Sequence, residues 1–199
     1  EKNNAKKIIK EKKISKNQVI SFKKFREIIN NLKGTNFIID NQSCSVFSEK
    51  IIQSKFKIIN KKDPIYKLKS IKSSSEINHM VEAHKKDGLA LTRFIYWIKN
   101  INTKNITEVD AQNKLEKFRM MSNDYLYPSF NTIAGAGPNG AIVHYRATRF
   151  NTKVINKNDI FLCDSGGQYK YGTTDVTRTL CFSKPRQYIK NIFTKVLKG

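Results

Sequence analysis

The 199-residue chain carries 38 Lys+Arg against 16 Asp+Glu, a formal net charge of +22, and 39% of it is hydrophobic. It is long enough to bury a sizeable core as one large domain or two small ones, and too hydrophobic for a disordered chain. No run of 18 apolar residues occurs, so no membrane span is expected.

The charge by itself points toward nucleic acid or an anionic surface. The basic residues are spread along the chain, however, and Lys dominates Arg. A phosphate binder more often clusters its cations and uses Arg forks. Asn and Ile are abundant as well, as follows from an A/T-rich coding sequence. The excess reads as compositional bias, and no specific nucleic-acid partner is expected. Cys44, Cys163 and Cys181 are widely spaced and form no CxxC, which fits a reducing cytoplasm. The first residues, EKNNAKKIIKEKK, lack the apolar core of a secretory signal.

Residues 1–18 read as a polar, partly helical lead-in. Ser21 caps a helix over 21–33, with Phe25, Ile28, Ile29 and Leu32 on one face and Gly34 at its end. A strand over 35–40, a helix over 43–54 and a strand over 56–59 follow. This alternation predicts a small sheet covered by helices. Pro64 disfavours helix at Asp63, and 67–72 reads as a linker.

Ser73 and Glu76 form a capping box that opens a long helix, with Ile77, Met80, Val81, His84, Gly88, Leu91, Ile95 and Ile98 on its predicted inner face. His79 and His84 stand five apart, so they diverge around the helix and make no metal pair. Thr107 and Asp110 open a second helix, to about Met121. Strands are predicted from Pro128 onward, including Ala141–Tyr145 with His144 pointing from it. A last helix covers 186–197.

Between them lies DIFLCDSGGQYKYGTTDVTRTLCF, residues 159–182, which reads as two strands joined by a glycine-rich turn. Asp164 falls on the first strand and Asp175 on the second. Facing residues in an antiparallel pair come within about 5 Å at Cβ, and two carboxylates that close repel unless a cation lies between them. Asp-Ser-Gly-Gly is equally turn chemistry, so spacing alone leaves both readings standing.

The run DSGGQYKYGTTDVTRT, residues 164–179, resembles the first half of the metal site of the pita-bread metallopeptidases, specifically of their aminopeptidase P (Xaa-Pro aminopeptidase) members. NTIAGAGPNGAIVHYRAT, residues 131–148, is similar to the same enzymes and contains His144 at the position of their substrate-side histidine. The resemblance implies an α/β (α+β) fold: residues 67–199 as the N-terminal half of a pita-bread catalytic domain, preceded over 1–66 by the end of a small non-catalytic β/α domain. It implies two divalent metal ions, usually manganese, with Asp164 chelating one and Asp175 bridging both. His144 would hold the substrate and the tetrahedral intermediate. It further implies hydrolysis of peptides with proline at the second position, a cytoplasmic enzyme, and a homodimer when intact.

Five ligands are expected in that family: two Asp, one His and two Glu. No Glu follows Glu116 and no His follows His144. The chain therefore reads as a fragment that binds metal weakly or not at all and is inactive alone. A binding module that has lost catalysis, or a basic nucleic-acid binder, are the alternatives.

Overall fold

The computed structural model describes residues 6, 9–10, 14–15, 18–101 and 105–199, so the predicted lead-in over 1–18 lies mostly outside the described residues. The chain divides into two compact units, Glu1–Ile71 and Lys72–Gly199.

In the first unit, Ser21 caps a 3-10 turn, Phe22–Lys24, that runs into helix α1, Phe25–Asn31. The Lys55 ammonium closes the other end by donating to the Asn30 and Leu32 carbonyls. Strand β1, Asn36–Ile39, pairs in parallel with β2, Lys57–Asn60, and helix α2, Val46–Gln53, makes the connection. Ile29, Ile39, Ile51, Ile52 and Phe56 form the core. Helix α3, Pro64–Ser70, then occupies most of the stretch predicted as linker. Pro64 takes the first helical turn, where its missing N–H costs nothing, and the Asp63 carboxylate caps the Ile65 amide at 2.8 Å.

The second unit begins with helix α4, Ser74–Asn100, opened by the predicted Ser73/Glu76 capping box. Helix α5, Glu108–Arg119, carries the predicted Thr107/Asp110 box. The strands β3, Tyr125–Pro128, and β4, Ile133–Ala136, follow. Next come β5, Ile160–Ser165; β6, Gly167–Tyr169; β7, Gly172–Thr173; and β8, Val176–Cys181. The sheet β4–β5–β8 is antiparallel throughout, and β3–β6–β7 forms a second antiparallel sheet. Helix α6, Gln187–Lys198, ends the chain. No helix of the described residues is long and apolar enough to cross a membrane.

Strand β5 organises this unit. Phe161 and Cys163 alternate inward and meet Leu91, Phe94, Ile98, Ala111 and Leu115 of the two helices. Ile160, Leu162 and Asp164 face the other way. Burial lifts the Cys163 thiol to about 11, so it stays a protonated core residue. On the open face, Tyr188, Phe193, Val196 and Leu197 of α6 remain exposed.

The buried stripe of α4 differs from the predicted one. Ala83, Asp87, Ala90, Leu91, Phe94 and Ile98 are buried, whereas Ile77, Met80 and Val81 are exposed. Two pairings turn the helix. Ala83 lies so close to Gly172 that a Cβ there would stand 2.7 Å from its own. Asp87 reaches inward to Arg119, with Oδ1 at 2.6 Å from Nε and Oδ2 at 3.2 Å from Nη2. Arg119 Nη2 also donates to Ser165 Oγ at 3.0 Å, and Tyr169 donates to Asp87 at 2.9 Å. Burial pulls the guanidinium pKa down, but the hydrogen bond and charge of Asp87 leave it raised. This pair ties α4, α5, β5 and β6 together.

Candidate metal centre

Asp164 stands at the end of β5 and pairs in register with Ile133 on one side and Thr177 on the other. The Thr177 hydroxyl donates to Asp164 Oδ1 at 2.6 Å and fixes the carboxylate on the open face of the sheet. Asp175 lies one residue before β8. It is not the cross-strand partner of Asp164, as a simple hairpin would make it. The predicted turn is a short β6–β7 hairpin that joins β3, and the predicted second strand breaks at Thr174–Asp175. The two carboxylates instead meet at a cavity. Asp164 and Asp175 line one cavity of about 420 Å³ with His144, Phe130, Asn131, Ile133, Tyr145 and Arg146.

The glycines of Asp-Ser-Gly-Gly make this possible. A Cβ on Gly166 would stand 1.9 Å from the Thr174 carbonyl oxygen and 2.3 Å from Ser129 Oγ. Without one, Ser129 Oγ donates to that carbonyl at 2.8 Å, and the Gly167 amide donates to Thr174 Oγ1 at 2.9 Å. These bonds clamp the segments next to Asp164 and Asp175 together. Gly166→Ala is expected to cost about 3 kcal/mol or more, because the Thr174 carbonyl is backbone and cannot retreat, while the Ser129 hydroxyl would have to give up its bond to it. A lowered denaturant midpoint with an unchanged slope checks it.

His144 does not lie on a strand. Gly137–Ala141 is a 3-10 turn, and His144 follows with φ 54°, the one non-glycine residue with positive φ among those described. Both edges of β5 are already taken by β4 and β8, so Ala141–Tyr145 has no edge there to join. Tyr145 is buried next to it, and its hydroxyl donates to Glu108 Oε2 at 2.8 Å. Burial, then the Glu108 bond and charge, push the Tyr145 hydroxyl up to about 12 and keep it a donor. His79 and His84 lie on the exposed side of α4: His79 stacks on Tyr171, and His84 Nδ1 sits 2.9 Å from the Met80 carbonyl.

The residues that hold the site escaped sequence reasoning. Asp87, Glu108, Arg119 and Ser165 are each buried, and the partners named above are 32 to 82 residues away. A charged residue at an inward helical position is the one signal that marks three of them.

The donor set suits a hard divalent cation in part. Two carboxylates lining one cavity are oxygen ligands of the right kind. Among the described residues, no three His, Cys, Asp or Glu side chains gather as a metal-holding group. The site fits a cation as one side of a coordination sphere.

Helices packed on one face of an antiparallel sheet, with paired carboxylates on the other, define a pita-bread metallohydrolase half-domain. The chain belongs to metallopeptidase family M24, which it matches over residues 78–199. A probable Xaa-Pro aminopeptidase P of Coccidioides posadasii (strain C735) is 45% identical over 146 residues, covering 72% of this chain and 22% of that protein. Among solved structures, the prolidase of Pyrococcus horikoshii OT3 superposes with a TM-score of 0.75 at 28% identity, over 90% of this chain and 50% of that one. An X-prolyl aminopeptidase of Caenorhabditis elegans, described as a cytosolic enzyme with a di-nuclear active site, gives 0.71 at 24% identity, over 84% of this chain and 29% of that one. The chain thus spans about a quarter of the length of the curated relatives it matches.

Proposed function

We propose that residues 67–199 supply one side of the dinuclear metal centre of a Xaa-Pro aminopeptidase, and that 1–66 are the end of the non-catalytic domain before it. The observation that carries this reading is the shared cavity of Asp164, Asp175 and His144. There, Asp164 and Asp175 would hold the ions from this side, with one His and two Glu from outside this stretch completing the set. Oxygen donors favour manganese over a softer metal. When bound, the ions supply Lewis-acid activation of water at neutral pH. Thr177 holds the Asp164 carboxylate in its rotamer. His144 offers a hydrogen bond to the substrate from the same cavity. The substrate class is a peptide with proline at the second position, the assembly a homodimer, and the compartment the cytoplasm.

Calorimetric titration of Mn²⁺ into this chain and into a full-length version tests the reading. Stoichiometric binding and release of a residue from a Xaa-Pro peptide are expected of the longer protein alone. Peptidase activity in the 199-residue chain would sink the divided site. A full-length protein that neither binds Mn²⁺ nor cleaves would sink the assignment. Thr177→Val is expected to weaken metal binding about 10–100-fold by freeing the Asp164 carboxylate, which the same titration reads.

A further inference from the structure

We infer that Glu108 and Tyr145 are positioning residues that hold His144 in its left-handed conformation at the metal cavity. The inference rests on the reading of His144 as the substrate-side group.

A β-carbon-bearing residue at φ 54° is costly and persists only where its surroundings over-determine it. The surroundings here are specific. The Tyr145 amide closes the turn on the Ile142 carbonyl at 3.1 Å. The Tyr145 side chain is 5% exposed and anchored on Glu108. Glu108 is fully buried, and its carboxylate gathers four groups. It accepts from the Ala136 amide at 2.7 Å, the Lys153 amide at 2.9 Å, the Asn139 side-chain amide at 3.0 Å and the Tyr145 hydroxyl. Asn139 also donates to the Tyr145 oxygen at 2.9 Å. One carboxylate therefore pins the end of β4, the 3-10 turn, the residue after His144 and the strand-entry loop at Lys153.

Glu108 is the first residue of α5, where the helix N-terminus favours a negative charge. Helix α5 also ends in Arg119, whose guanidinium holds Ser165 beside Asp164. The two ends of one helix thus bond to Ser165, next to Asp164, and to Tyr145, next to His144. A carboxylate with this many donors could serve the loop's folding alone. The position of Tyr145 argues for more, because it both lines the cavity and bonds the carboxylate. Its backbone fixes the ψ side of His144, so loss of the anchor releases the imidazole first.

A double-mutant cycle tests this in the metal-loaded, full-length enzyme, with Tyr145→Phe, His144→Ala and the pair. Tyr145→Phe keeps the ring packing and removes the anchor alone. It is expected to lower kcat on a Xaa-Pro peptide by up to about a hundredfold, with a smaller change in KM. On the His144→Ala background, the same change is expected to cost less than about twofold. A loss of equal size on both backgrounds overturns the inference and leaves the site reading standing. An unchanged kcat in His144→Ala overturns the site reading and this inference with it. Hydrogen exchange on the metal-free protein gives a second readout. Tyr145→Phe and Glu108→Gln are expected to accelerate exchange over residues 142–148 while β5 and β8 keep their protection. Unchanged exchange over 142–148 in both variants overturns the latch, whatever the activity.

Discussion

Asp175→Ala in the full-length enzyme is expected to lower kcat/KM on a Xaa-Pro peptide by about a thousandfold or more, with metal content falling toward zero. Lewis-acid stabilisation is worth several kcal/mol, and each factor of ten is about 1.4 kcal/mol. Asp164→Ala is expected to fall as far in activity but to retain up to one ion, because the proposed reading gives Asp164 a share in one ion and Asp175 a share in both. Elemental analysis of the purified variants separates the two. The fold supplies a control. Asp175 is exposed and lies outside β8, so Asp175→Ala is expected to change the metal-free stability by less than about 0.5 kcal/mol. A metal-free protein destabilised by several kcal/mol would mean that Asp175 builds the fold rather than the centre.

The extent to which this was legible in the sequence follows the range of the interactions. Ser73/Glu76 and Thr107/Asp110 are signals three residues apart, and both capping boxes open the helices they predict. The strand at Asp164 is legible because the apolar run Ile160–Leu162 leads into it and Gly166 and Gly167 close it. The order His144, Asp164, Asp175 is a motif, and the structure brings its three members to one cavity. Their local geometry is not legible. Nothing local reveals that β4 and β8 occupy both edges of β5, which leaves His144 in a turn. Nor does the apolar pattern of α4 reveal its inward face. Ile77, Met80 and Val81 outweigh Ala83 and Asp87 on any hydrophobic scale. Asp87 points inward because Arg119 meets it there, 32 residues on.

That pair carries the largest stability prediction. Arg119→Leu is expected to destabilise the folded chain by roughly 3–5 kcal/mol and to lower Tm by roughly 10–20 °C. The cause is the partner left behind. Asp87 is fully buried, so its carboxylate loses its counter-charge in a place where water cannot replace it. Arg119→Lys is expected to recover only part of the loss. A single ammonium cannot reproduce the fork that reaches Asp87 through two nitrogens and Ser165 through one of them. Asp87→Leu combined with Arg119→Leu is expected to be more stable than Arg119→Leu alone. It removes the orphaned charge that Arg119→Leu leaves at Asp87. The double variant is not expected to reach the parent, because Tyr169 and Ser165 lose their bonds to the pair. Calorimetric Tm values across the three variants check the order. A double variant no more stable than Arg119→Leu would mean that the network acts through Ser165 and Tyr169 rather than through the buried charge. A double variant with parental stability and weakened Mn²⁺ binding would separate the two tasks of Arg119, with packing met by leucines and the seat of Asp164 dependent on the guanidinium.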